Sequence, residues 1–101
     1  MDSYKLMVAC KNIILDYIKN EKEITDKKIK INIEDVYVVW SVKVLQNNKF
    51  LMSTTLPDGL YYELTYNGDK EEVYVDVYKK WKNYVVKRDE LNYKVEDNYE
   101  L

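Results

Sequence analysis

The 101-residue chain has no histidine, one cysteine, one proline and two glycines. Without imidazole it can build no Ser-His-Asp triad, no Cys-His dyad and no His-ligated zinc site. Two glycines cannot make a P-loop or a dinucleotide fingerprint. Cys10 has no second thiol to pair with, so the fold does not depend on an oxidising compartment. No apolar run approaches the ~18 residues of a membrane span. The N-terminus, Met1-Asp2-Ser3-Tyr4-Lys5, lacks the basic and then apolar segments of a signal peptide. These absences predict a cytoplasmic protein with no membrane partner, no cofactor, no metal site and no catalytic set: not an enzyme.

What the chain does have is a composition that folds, 47% hydrophobic and 34% charged, in a length that suits one small domain. Eleven tyrosines dominate its aromatics. Leu6, Cys10, Ile13 and Tyr17 recur at helical spacing, and Met7, Ile14 and Ile18 widen the stripe. A helix is therefore expected from a Ser3 cap to about Asn20. Residues 20–35 are polar and read as a connection, with the alternating Ile29, Ile31 and Ile33 suggesting a strand over Lys28–Ile33.

From Val36 the period becomes two. Val36, Val38, Trp40, Val42 and Val44 share one strand face. Turn signals come next at Asn47-Asn48, Pro57-Asp58-Gly59 and Asn67-Gly68, separating strands at about Phe50–Leu56, Leu60–Tyr66 and Glu71–Tyr78, the last with a pattern that could extend to Val86. Three-residue loops at 47–49 and 57–59 keep the apolar faces together, pairing Val44 with Met52 and Met52 with Leu64, whereas a one-residue slip would invert a strand. At Asn67-Gly68 a four-residue loop avoids placing Glu63 opposite Glu72. The expected fold is α+β: an N-terminal helix packed on one face of an antiparallel meander of four strands, or five if Lys28–Ile33 joins an edge. Residues 1–88 form the domain and residues 89–101 an acidic tail.

The packed face would hold Val38, Trp40, Val42, Val44, Met52, Tyr62, Leu64, Val73, Val75 and Val77. The other would hold Tyr37, Ser41, Lys43, Thr55, Tyr61, Glu63, Thr65, Tyr74, Asp76 and Tyr78. An antiparallel sheet can leave such a face in water with no further role. Tyrosine clusters also serve as binding surfaces, because a large rigid ring is cheap to order. The candidate partner-binding residues are Tyr37, Lys43, Tyr61, Glu63, Tyr74, Asp76 and Tyr78, and homodimerisation through the same face is a further reading. Glu63 and Asp76 are also the one carboxylate pair placed for acid–base work, with Lys43 beside them as an ordinary ion-pair partner.

Charge is unevenly spread. Residues 89–101 carry a net −4 and the preceding 88 residues a net +2. Lys79, Lys80, Lys82, Lys87 and Arg88 surround Trp81 and Tyr84, a mixture that suits a nucleic acid or a nucleotide. In the simpler alternative Trp81 joins the core beside Val77 and the lysines protect a sheet edge. The tail, with a short helix capped by Asp89, could screen this strip.

The stretch VYVVWSVKVLQNNKFLMSTTLPDGLYYELTYNGDKEEVYVDVYKKWKN, residues 36–83, resembles a family of short uncharacterised proteins encoded by phages and prophages of Gram-positive bacteria. The shared pattern runs through WS.K.LQN.K and STT..DG.YYE.TYNGDK.E.Y.DVYKKW. The resemblance implies an accessory phage protein in the bacterial host cytoplasm. Such proteins often bind and inhibit a host protein stoichiometrically, as anti-CRISPR and other anti-defence inhibitors do. The alternative is a sponge for nucleic acid or a nucleotide signal, using Lys79, Lys80, Trp81, Lys82, Lys87 and Arg88.

Overall fold

A computed structural model describes residues 1–21 and 30–96. Helix α1 spans Ser3–Glu21, strands β1 to β4 span Val36–Val44, Asn47–Thr54, Leu60–Asn67 and Glu72–Lys79, and helix α2 spans Arg88–Glu96. The strands form one antiparallel sheet in the order β1-β2-β3-β4. The fold is the expected α+β meander. The described part of the fifth-strand segment, residues 30–33, is not a strand. A 3-10 turn at Ile33–Asp35 leads into β1 instead. The rest of that segment lies outside the described residues.

Helix α1 forms because its apolar residues fall on one side: Leu6, Cys10, Ile14, Leu15 and Ile18 are buried. Its cap is Asp2 rather than Ser3. Asp2 Oδ1 accepts the Lys5 N–H at 2.8 Å, and the Asp2 carbonyl accepts that of Leu6. The helix closes a core with Val36, Phe50, Met52, Tyr62 and Leu64. Inside it, Tyr17 meets the Tyr62 ring edge-on at 5.9 Å. The Tyr62 hydroxyl is buried and has no hydrogen-bond partner among the described residues, and burial, with Asp58 and Tyr17 adding to it, pushes this phenol up to about 12.

The loops differ from expectation in an orderly way. β1 and β2 are joined by Leu45 and Gln46, not by a three-residue loop at 47–49, so Val44 pairs with Asn47 rather than with Met52, and Leu45 itself takes a positive φ of 57°. Asn47 and Asn48 have entered β2, where the Asn47 side chain accepts the Gly68 N–H. β2 and β3 pair Met52 with Tyr62 and Phe50 with Leu64. That is two residues away from the expected register, and an even slip leaves every side chain on its face. The four-residue loop between β3 and β4 is as expected, from Asn67↔Glu72 through Leu64↔Val75 to Leu60↔Lys79. It packs against the first hairpin: Gln46 Nε2 donates to both Asp69 carboxylate oxygens, and a Cβ at Gly68 would strike the Gln46 carbonyl.

One irregularity changes the faces. The register of β1 shifts between Val38↔Met52 and Trp40↔Leu51, leaving Val39 as a bulge. Before the bulge Val36 and Val38 face the helix. After it Trp40, Val42 and Val44 face away, and Ser41 and Lys43 lie on the helix side. Trp40, Val42 and Val44 are accordingly exposed and are not core residues. The physical reason is that Val38-Val39 offers two adjacent β-branched side chains, either of which can point inward. Phe50 and Leu64 supply the bulk that Trp40 would have brought.

Candidate functional site

The outer sheet face is larger and more apolar than the alternation in β1 suggested. The strand registers bring Tyr37, Trp40, Val42 and Val44 of β1, Lys49 and Leu51 of β2, Tyr61, Glu63 and Thr65 of β3, and Tyr74, Asp76 and Tyr78 of β4 to one side. Of the expected partner-binding residues, Tyr37, Tyr61, Glu63, Tyr74, Asp76 and Tyr78 share this face. Lys43 does not: it pairs with the buried Asn48 and lines a polar hollow on the helix side with Met1, Gln46 and Tyr66. The bulge is again the reason. Trp40, Val42 and Val44 are the residues that sequence reasoning missed. The doubled valine before Trp40 was the available signal.

Two rows organise the surface. Trp40, Leu51, Glu63 and Asp76 lie in register across the four strands, and Val42, Lys49, Thr65 and Tyr74 form the row beside them. Directly opposed carboxylates repel, and Glu63 and Asp76 are so opposed. Lys49, in the position expected for Lys43, compensates: its Nζ lies 3.5 Å from Glu63 Oε2. The Tyr78 hydroxyl donates to Glu63 Oε1 at 3.2 Å. Glu63 is thus held from both sides, a structural arrangement rather than a free general base. Among the described residues no cluster of three or more His, Cys, Asp or Glu could hold a metal.

Tyr74 and Tyr78 are fixed as hydrogen-bond donors. The Tyr74 hydroxyl donates to Glu72 Oε2 at 2.6 Å, and that bond raises its pKa above the usual phenol value. Tyr78 is raised by the charge of Glu63, then by its hydrogen bond to Glu63 and by Asp76. Lys80 Nζ lies 5.6 Å from the Tyr61 ring centroid, a cation–π contact at the rim. The result is a rigid plate of aromatic and β-branched side chains with an ion pair at its centre. Val42, Val44, Asn47, Lys49 and Thr65 border a shallow hollow at one end.

The basic strip is not a single surface. Lys79 pairs with Leu60 on the helix side, whereas Lys80 reaches over Tyr61 on the outer side. Residues 80–87 have no regular secondary structure. Trp81 is 96% exposed and so is not a core residue beside Val77. Lys82 lies over the Tyr84 ring, Lys87 directly precedes α2, and Arg88 begins it, the Lys87 carbonyl accepting the Leu91 N–H. The expected tail helix exists, but Asp89 is in its first turn, not at its cap. No ion pair joins α2 to the strip among the described residues.

Residues 7–88 match a family of unknown function, DUF6275. The chain belongs to this family. The match covers most of α1 and the whole sheet, and so every residue of the outer plate. No curated protein and no solved structure matches the chain. No described helix is long and apolar enough to cross a membrane.

Proposed function

We propose that this member of DUF6275 is a stoichiometric binding protein that captures and inhibits a host protein through the outer face of its sheet. The observation that carries the reading is the exposed plate of Trp40, Val42, Tyr74 and Tyr78 around the half-buried Tyr61, held flat by four paired strands. Contiguous exposed apolar surface rimmed by charge is the signature of protein contact sites, and Trp and Tyr are the side chains that dominate such contacts. The hollow at the end of the plate is shallow and open, and the Glu63 carboxylate is engaged by Lys49 and Tyr78. A non-enzymatic role suits both features. The likeness of residues 36–83 to phage-encoded proteins supports a partner in the bacterial cytoplasm, with a component of host defence as the best-suited class.

The test is capture of partners from a bacterial lysate by the tagged chain and by a variant carrying Trp40→Ser, Tyr74→Ser and Tyr78→Ser. The expected result is one protein retained at equimolar amount by the parent and lost by the variant, with the urea unfolding transition still cooperative. Equal retention by both proteins would reject this surface. One observation favours a second reading: Trp81 stands almost fully exposed among Lys79, Lys80 and Lys82, an arrangement that suits stacking on a nucleobase. In that case the purified chain alone would shift a labelled oligonucleotide, and neutralising the three lysines would flatten the salt dependence.

A further inference from the structure

We infer that the chain forms a dimer by exchanging its C-terminal arm: α2 of each copy packs on the uncovered β4 side of the partner's sheet, next to α1. The first argument is width. A four-stranded sheet spans about 15 Å between its outer strands, and one helix with side chains covers roughly 10 Å. α1 lies toward the β1 side. On β4 the helix-side residues Val75 and Val77 are left 38% and 36% exposed, although their cross-strand neighbours Leu64 and Tyr62 are fully buried. This face is the half of a two-layer sandwich that still needs a helix.

The second argument is that the chain carries such a helix and does not use it on itself. Leu91 and Val95, one turn apart on α2, are 50% and 81% exposed. The radius of gyration is 17.6 Å, against about 13 Å for a compact chain of this length. Lys80 N–H donates to the Gly59 carbonyl at 2.7 Å, which fixes the direction of the chain as it leaves β4. The next segment, residues 81–87, has neither glycine nor proline to reverse it tightly.

The third argument is charge. Residues 89–96 carry a net −2, three acidic side chains against one basic, and five cations lie between Lys79 and Arg88. A two-fold exchange brings each acidic arm toward the basic end of the partner's β4, and the symmetry makes the contact twice. Exchange of a terminal element is a low-cost route to a dimer, because the contact surfaces already exist in the single chain. This surface is on the opposite side of the sheet from the plate, so a dimer leaves both plates free.

Sedimentation across a concentration series and disulfide trapping test the inference. The full chain should approach twice its 12.2 kDa mass as concentration rises, and Leu91→Glu with Val95→Glu should hold it at one chain mass. Both residues are exposed in the single chain, so these changes leave its own core intact. Val77→Cys and Leu91→Cys proteins, refolded together and oxidised, should form a disulfide between the two different chains. Cys10 is buried and takes no part. A parent that stays at one chain mass throughout overturns the inference. So does a dimer that survives Leu91→Glu with Val95→Glu but is lost on Tyr61→Ser with Tyr74→Ser, because that result puts the contact on the outer plate.

Discussion

Strands β2 and β3 and the last twenty-two described residues are both rich in large apolar side chains, yet those side chains end up in opposite environments. Phe50, Met52, Tyr62 and Leu64 are buried. From Val75 to Val95 every apolar side chain is exposed, including Val77, Trp81, Val85 and Leu91. Residue type does not distinguish the two regions; the presence of a partner element does. The central strands have neighbours on both edges and a helix on one face. β4 has one neighbouring strand and an uncovered face, and the arm beyond it has no sheet at all. Hydrophobicity therefore makes burial favourable in proportion to area, but topology decides which area has something to be buried against.

The strongest way to break this contrast is to mutate both sides of it. Leu64→Ala should cost about 2–5 kcal/mol of unfolding free energy, since a close-packed core cannot collapse fully around the lost volume. Its urea midpoint should fall clearly below that of the parent. Tyr62→Phe probes the same core with a smaller and opposite effect. Removing a buried hydroxyl that bonds to nothing should raise stability by about 1 kcal/mol. The substitution should also change the alkaline limb. Unfolded tyrosine ionises near 10, whereas Tyr62 in the fold keeps its proton to about 12. Between those values the unfolded state binds fewer protons, so stability falls as pH rises. Cys10, which burial raises from 9.0 to about 11, contributes a loss of the same sign. Thermal melts between pH 8.5 and 12 should thus decline less steeply for Tyr62→Phe than for the parent. The smallest effect belongs to the exposed arm, where Val85→Ala should change stability by less than about 0.5 kcal/mol. A loss comparable to that of Leu64→Ala would mean that residues 80–87, and not α2 alone, are packed in solution.

The sequence patterns conveyed the fold better than its surfaces. The stripe from Leu6 to Ile18 and the alternation in β3 and β4 were legible because one side of each element is unambiguously apolar. The Asn67-Gly68 signal placed the last hairpin correctly. β1 was not legible, because Val36-Tyr37-Val38-Val39-Trp40 is apolar at every position and its period carries no phase. Strand pattern alone cannot locate a bulge in such a run. Six of the seven residues chosen for the outer face are there, since they lie on strands or segments that precede the bulge or are untouched by it. Lys43 and the three missed residues, Trp40, Val42 and Val44, all lie after it. The exposure of Trp81 was hidden for a different reason: the sequence continues the strand pattern beyond Lys79, but no neighbouring strand is long enough to pair with it.

The Val39 bulge sets the phase of the second half of β1. Val38 and Trp40 stand opposite the consecutive residues Met52 and Leu51, so Val39 is the one residue left over, and deleting it would keep Trp40, Val42 and Val44 on the plate. Pairing Val39 itself with Leu51 would instead turn Trp40, Val42 and Val44 toward α1 and carry Ser41 and Lys43 onto the plate. The spare residue thus holds five consecutive positions on their present faces. Gain or loss of one residue at this point is absorbed by the bulge, and the contact surface stays the same while the other three strands keep their register.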